Sequence, residues 1–300
     1  MSSTANIPAS VRQRLLNRAR SEKRPFGELL QYFAMERFLY RLSKSPHAGS
    51  FVLKGALMLR AWGSPEFRPT KDIDLLGITS NVDADIISQI RDVIAMDQEP
   101  DGLAFDPNSI QVERITTDAE YEGVRVRFKA KLDTAKIGMQ IDIGFGDTVH
   151  PEAELAELPV MLDFPAPRLL GYTRESAIAE KFEVMIKLGE LNSRMKDFFD
   201  IWLLSRQFDY DISVLGEAIR LTFRQRGTSL PSNLDAFTEA FLIQKQVQWT
   251  AFLKRTQLEQ APISFKVIVF ALRVFLEPVV ESLAADTPAR EKWIAPGPWS

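Results

Sequence analysis

The chain has 300 residues, 45% of them hydrophobic, and its 37 Lys+Arg against 40 Asp+Glu give a formal net charge of -3. That apolar share permits a proper core and argues against disorder, and the length admits two small domains or one large one. The absence of cysteine excludes disulfides, thiolate metal sites and thiol nucleophiles, and the two histidines, His47 and His150, each beside a proline, cannot build a zinc site by themselves.

The first twenty-five residues are polar and arginine-rich, unlike a signal peptide, and the longest apolar run, Val267 to Leu272, is bounded by Lys266 and Arg273. A cytoplasmic protein without a membrane span is expected. Charge is uneven along the chain: residues 1–45 carry Arg12, Arg14, Arg18, Arg20, Lys23, Arg24, Arg37, Arg41 and Lys44 against Glu22, Glu28 and Glu36. Such a segment is either a solvated helix face or a patch for a phosphate backbone.

Pro8 to Ser21 reads as a short basic helix. Pro25 starts a second, with Phe26, Leu29, Leu30, Phe33, Phe38 and Leu42 close to helical spacing. After a Ser/Pro/Gly-rich break come an apolar entry at Phe51 to Leu53, Lys54-Gly55, a compact helix from Ala56 to Trp62 and a strand from Asp72 to Ile78. A helix is expected over Asp83 to Met96, then a turn region from Glu99 to Asn108. Three alternating strands follow at Ile110 to Thr117, Val124 to Leu132 and Lys136 to Gly144, forming an antiparallel meander. Pro151 to Pro167 is a linker or covering loop. Beyond it the pattern is helical: Thr173 to Gly189, Arg194 to Arg206, Ile212 to Arg226, Asp235 to Arg255 and Phe265 to Leu283, with an unplaced tail from Asp286. The fold class expected is α+β, a mixed sheet with flanking helices and a C-terminal helical domain. The expected division is 1–45 (basic helices), 46–170 (core) and 171–300 (helical domain).

Strand alternation puts Asp72 and Asp74 on one face, and Asp142 lies on the face of its strand opposite Met139, Ile141 and Ile143. Paired carboxylates on an otherwise apolar strand need a cation or open solvent. If the two strands are neighbours, three hard oxygen donors converge, a set suited to Mg²⁺. Gly55 lets backbone N–H groups approach an anion where the Ala56 helix begins, and Arg68 and Thr70 are placed to orient phosphate or stabilise the loop. Lys181 borders the stripe Ile178, Phe182, Met185 and Ile186; its stem either covers apolar surface on the way to solvent or carries its ammonium back to the carboxylates. Arg194, Lys196, Asp197 and Asp200 form either surface helix pairs or part of a site, since Phe198, Phe199 and Trp202 share their helix.

The succession LKGALML, RPTKDIDL, QIDIGFGD, AEKFEVMIKLG and NSRMKDFFDIWLL, in order over about residues 50 to 205, resembles the AbiEii/AbiGii-type nucleotidyltransferase toxins, relatives of the mycobacterial MenT toxins. The resemblance implies a DNA polymerase β-like nucleotidyltransferase core and a toxin partnered by an antitoxin encoded beside it. Relatives of this kind add nucleotides to the 3′ end of tRNA. Carried over by position, the glycine motif falls on Lys54-Gly55, the paired metal acids on Asp72 and Asp74, the lysine on Lys181 and the late acidic helix on Arg194, Lys196, Asp197 and Asp200; Asp142 matches the third acid of the wider fold. Ala56 stands where many relatives have a glycine or hydroxyl residue, which removes a hydroxyl that would touch the β,γ-phosphates. The expectation is therefore transfer of NMP from an NTP to an RNA acceptor with Mg²⁺ or Mn²⁺ held by Asp72, Asp74 and Asp142. Asp142 would help deprotonate the hydroxyl, Lys181 would neutralise the pyrophosphate side, and Asp197 would hold Lys181 or the base and ribose. Transfer to a small molecule or a protein side chain, or a non-catalytic NTP-binding module, are the alternatives.

Overall fold

In the computed structural model, the residues described are 6–64, 69–96, 100–117, 121–231, 234, 238–285 and 290–300, with backbone alone at 116, 117, 121 and 122. Two compact units result, one of residues 1–146 with 154–171 and one of residues 147–153 with 172–300.

The first unit begins with α1 (Ile7–Ser21) and α2 (Phe26–Lys44). Asn6 caps α1, its side chain accepting from the Ala9 N–H at 3.2 Å. Its strands and remaining helices are β1 (Phe51–Lys54), α3 (Ala56–Ala61), β2 (Ile73–Gly77), α4 (Asp83–Ala95), β3 (Leu103–Thr117), β4 (Tyr121–Leu132), β5 (Ala135–Phe145), β6 (Glu154–Glu157) and β7 (Arg168–Gly171). The strands form one seven-stranded sheet in the order β3-β4-β5-β2-β1-β7-β6. It is mixed: β2 runs parallel to β5 and β1 parallel to β7, while the other neighbours are antiparallel.

At β1 and β2 both faces of the sheet are buried, whereas on β4 and β5 the core lies on one side. Strands β4 and β5 bury Val124, Val126, Phe128, Ala130, Ile137, Met139, Ile141 and Ile143 and turn the intervening residues outward. Helix α2 packs on β5, its Leu29, Phe33, Phe38 and Leu42 all fully buried. Phe38 meets Phe128 at a ring separation of 5.6 Å and Phe105 at 6.3 Å.

Three features differ from the sequence reading. The meander starts earlier, because β3 begins at Leu103 within the segment expected to be a turn. Its pairing with β4 breaks between Asp106 and Gln111, around Pro107, which has no N–H to give to the ladder. The stretch from Pro151 to Pro167 is also more than a loop, since Glu154–Glu157 forms β6. Finally, much of the basic N-terminal segment is engaged within the chain. Arg14 pairs with Asp163; Arg18 with Glu22 and the Met161 carbonyl; and Arg24 with Glu28. Arg37 and Arg41 are buried against Glu36 and Asp101. Arginines are favoured over lysines in such positions because the planar guanidinium satisfies several acceptors at once.

The second unit consists of α5 (Arg174–Leu188), α6 (Met195–Gln207), β8 (Tyr210–Asp211), α7 (Ile212–Gln225), α8 (Glu239–Thr256), α9 (Phe265–Ala285) and β9 (Lys292–Trp293). Thr173 caps α5 as the sequence suggests, accepting from the Ser176 N–H at 3.2 Å. The first residues of the helix expected from Asp235 lie outside the described residues, and α8 starts at Glu239 behind the capping side chain of Thr238. Part of the unplaced tail is ordered by packing: β9 pairs with β8, and Trp293 and Trp299 sit against Phe275 at 4.8 and 5.7 Å. Arg226 ties α5 to the segment before it, donating to Asp147 and Glu180 at 2.8 Å and to Glu183 at 3.0 Å. Among the described residues, no helix is long and apolar enough to cross a membrane.

Candidate active site

Three carboxylates converge on the first unit. Asp72 stands immediately before β2, Asp74 lies within it, and the parallel register sets Asp74 directly opposite Asp142 of β5. In a parallel pair, residues in register share a face, so the neighbour relation left open by the sequence puts all three acids together. One oxygen from each of Asp72, Asp74 and Asp142 lies within 4.8 Å of the others, and all three residues are half-buried.

Neighbouring groups fix each acid. Thr70 is buried, donates its hydroxyl to Asp72 and donates its backbone N–H to the Tyr32 hydroxyl at 3.1 Å. Thr70 therefore orients a carboxylate. Arg125 of β4 grips Asp142 through both oxygens, Nε at 2.8 Å and Nη2 at 2.7 Å, while Gln140 approaches at 3.5 Å. A bidentate fork of this kind holds carboxylate orientation strongly. The Asp142 hydrogen bond is the main influence on Arg125, whose guanidinium is held above its ordinary value. Arg125 escaped the sequence reading; its signal was the alternation of basic residues on β4, whose partner strand only the register reveals.

Gly55 is the remaining structural element. It follows β1, whose Lys54 is paired in register with Asp74, and it precedes α3 with φ +71° and ψ -153°. A Cβ at this position would overlap the Asp74 carboxylate, so the glycine is required both by its backbone conformation and by the close approach of the acid. Arg68 lies outside the described residues.

The residues singled out on the late helices group together in the second unit. Asp197 and Asp200 of α6 are each only 1% exposed, so they are not the surface pairs that spacing also allowed. The Lys181 ammonium of α5 lies 3.3 Å from Asp200 and 3.7 Å from Asp197, and Arg194 donates to Asp197 at 2.6 Å. Asp200 thus turns to Lys181, while exposed Lys196 lines a 400 Å³ concavity with Ser193, Arg194, Gln248, Phe252 and Arg255.

Burial alone would push the Asp197 carboxyl up, but the charges of Lys181, Arg194 and Lys196 with the Arg194 hydrogen bond outweigh it and hold the group below the usual carboxylate range. A depressed carboxylate contributes stability that is present above its unfolded pKa and lost as pH falls through the folded one. Asp197→Asn is expected to destabilise the second unit by about 2 kcal/mol at neutral pH, because two cations lose their countercharge in a buried setting. Urea unfolding at neutral and acidic pH measures this, and the difference between variant and wild type shrinks below the normal carboxylate range.

The donor set fits a hard divalent cation: three carboxylates with further lone pairs available, half open to solvent, with a glycine whose missing Cβ makes room for the Asp74 carboxylate. Such a set is of the kind that enzymes transferring phosphorylated groups use to hold their metal. The family profile described as nucleotidyl transferase AbiEii toxin, type IV toxin–antitoxin system, matches residues 37–271. The chain belongs to this family and is a nucleotidyltransferase, and membership implies a cognate antitoxin. Among solved structures, it is similar to a proposed nucleotidyltransferase from Helicobacter pylori, at 14% identity and a TM-score of 0.47, over 87% of this chain and 98% of that one. It is also similar to JHP933 from Helicobacter pylori, at 15% identity and a TM-score of 0.48, over 86% and 94%. No protein of curated function matches the sequence.

Proposed function

We propose that this toxin transfers a nucleoside monophosphate from an NTP to the 3′-hydroxyl of an RNA, tRNA being the acceptor of first choice, and that it does so in the cytoplasm where both substrates reside. The observation that carries the reading is the convergence of Asp72, Asp74 and Asp142 on one sheet face beside Gly55. These three acids would hold Mg²⁺ or Mn²⁺, which when bound supplies Lewis acidity and neutralises charge on the triphosphate.

The acceptor oxygen attacks the α-phosphorus, a new P–O bond forms, the bond to the β-phosphate oxygen breaks and pyrophosphate leaves. The hydroxyl proton passes to a carboxylate of the cluster or to solvent. Thr70 and Arg125 keep Asp72 and Asp142 from turning away, so the acids are oriented before substrate arrives. Asp142, with both oxygens already accepting from Arg125, serves in this reading to complete the donor set. On the first unit Gly55 would provide backbone approach to phosphates; on the second, the Lys181 ammonium would be the group to supply positive charge for a triphosphate. Arg194, Lys196 and Asp200 support nucleotide binding, Asp200 and Asp197 by holding Lys181.

The test is incubation of the purified protein with α-labelled NTPs, Mg²⁺ and total RNA, followed by sequencing of RNA 3′ ends. Label at RNA ends supports the proposal. Label in a small molecule or a protein side chain, with none in RNA, overturns the acceptor while keeping the transferase.

A further inference from the structure

Arg14, Arg18, Arg24, Arg37 and Arg41 are paired within the chain, which leaves Arg20, Lys23 and Lys44 as scattered exposed cations of residues 1–45. A second basic row is available. On β4, Arg125, Arg127, Lys129 and Lys131 alternate with the buried Val126, Phe128 and Ala130, so all four project from the outer face. The register with β5 sets Arg125 opposite Asp142, Arg127 opposite Gln140, Lys129 opposite Gly138 and Lys131 opposite Lys136. The row therefore starts at the carboxylate cluster and leads away from it along one strand.

We propose that this outer face of β3, β4 and β5 is the track on which the single-stranded 3′ segment of the RNA acceptor lies, an inference that rests on the RNA reading above. Arg127 and Lys129 line a 590 Å³ concavity with Asn108, Ser109, Gln111 and Gln140, and Gly138 leaves the floor opposite Lys129 open. Two acids of β3 share the face: Glu113 pairs with Arg127 at 2.7 Å, and Asp106, which lines the concavity across from Lys129, accepts from the Asn108 N–H at 3.0 Å. Lys129, Lys131 and Lys136 are exposed and form no ion pair among the described residues. Successive outward side chains repeat at roughly 6.7 Å along a strand, a spacing suited to consecutive phosphates of an extended chain. Among the described residues, β4 and β5 carry no aromatic side chain on this face, so recognition is of the backbone, without base stacking, and is tolerant of sequence.

The experiment compares full-length wild type with the triple variant Lys129→Gln/Lys131→Gln/Lys136→Gln and with the triple Lys→Arg variant. Affinity for a short fluorescein-labelled oligouridylate is read by anisotropy over a salt series. The Gln variant is expected to bind about 10-fold or more weakly at low salt, with a log–log salt slope shallower by roughly 0.7 for each phosphate it no longer neutralises. Its KM for RNA rises while NTP binding and kcat hold, and the Arg variant behaves as wild type. A wild type that labels RNA while the Gln variant binds oligouridylate with equal affinity and slope overturns the track and leaves the RNA reading standing. A wild type that labels no RNA overturns both.

Discussion

Asp74→Asn is expected to lower nucleotidyl transfer by about 10³-fold, equivalent to about 4 kcal/mol of transition-state stabilisation. The amide is nearly the shape of the carboxylate and the residue is half-buried, so the change removes charge with little disturbance of packing. Asp74 is the central acid: it faces Asp142 across the β2–β5 pairing, Lys54 across the β1–β2 pairing and Gly55 from below. Loss of its charge weakens one of the three hard donors that would hold the cation. Steady-state label transfer with saturating NTP gives the rate, and circular dichroism checks the fold. A variant that keeps a tenth or more of the wild-type rate would remove Asp74 from the chemistry.

Gly55→Ala is expected to reduce transfer by about 10²-fold, by displacing Asp74 and leaving its charge intact. Two costs act together at this position. The backbone at φ +71° and ψ -153° is one that L-residues rarely adopt, worth about 1–3 kcal/mol of strain, and the added methyl overlaps the Asp74 carboxylate. The melting transition of the first unit should fall by about 5 °C. The diagnostic outcome is the comparison with Asp74→Asn: the double variant should be little worse than Asp74→Asn alone, since both act on the same carboxylate. Fully additive losses would show that Gly55 works through something other than Asp74.

Much of the architecture was legible because it rests on short-range regularities. The alternation in Lys136 to Gly144 identified β5 and the face of Asp142, the spacing of Phe33, Phe38 and Leu42 identified the buried stripe of α2, and Thr173 marked the start of α5. What failed to show was set by pairing between distant segments. Strand β6 is four residues with little alternation, and Arg168–Gly171 becomes β7 by pairing with β6 and, at Gly171, with β1. The early start of β3 was hidden by Gly102, which directly precedes the strand, and by Pro107, which a bulge accommodates. Likewise the acids of the candidate site could be named from their strands, but Arg125 as the partner of Asp142 depends on register, which no local pattern encodes. The charge excess of residues 1–45 allowed a solvated helix face or a phosphate-binding patch, and charge counts do not distinguish an arginine facing solvent from one held by Glu36 or Asp101.

The proposed chemistry rests on Asp72, Asp74 and Asp142 forming one cation site. Electron paramagnetic resonance of Mn²⁺ titrated into the protein, with and without NTP, measures it directly. Wild type should show a bound signal that NTP strengthens, and Asp72→Asn and Asp74→Asn should each lose it. Equal Mn²⁺ binding by wild type and both variants would contradict the account.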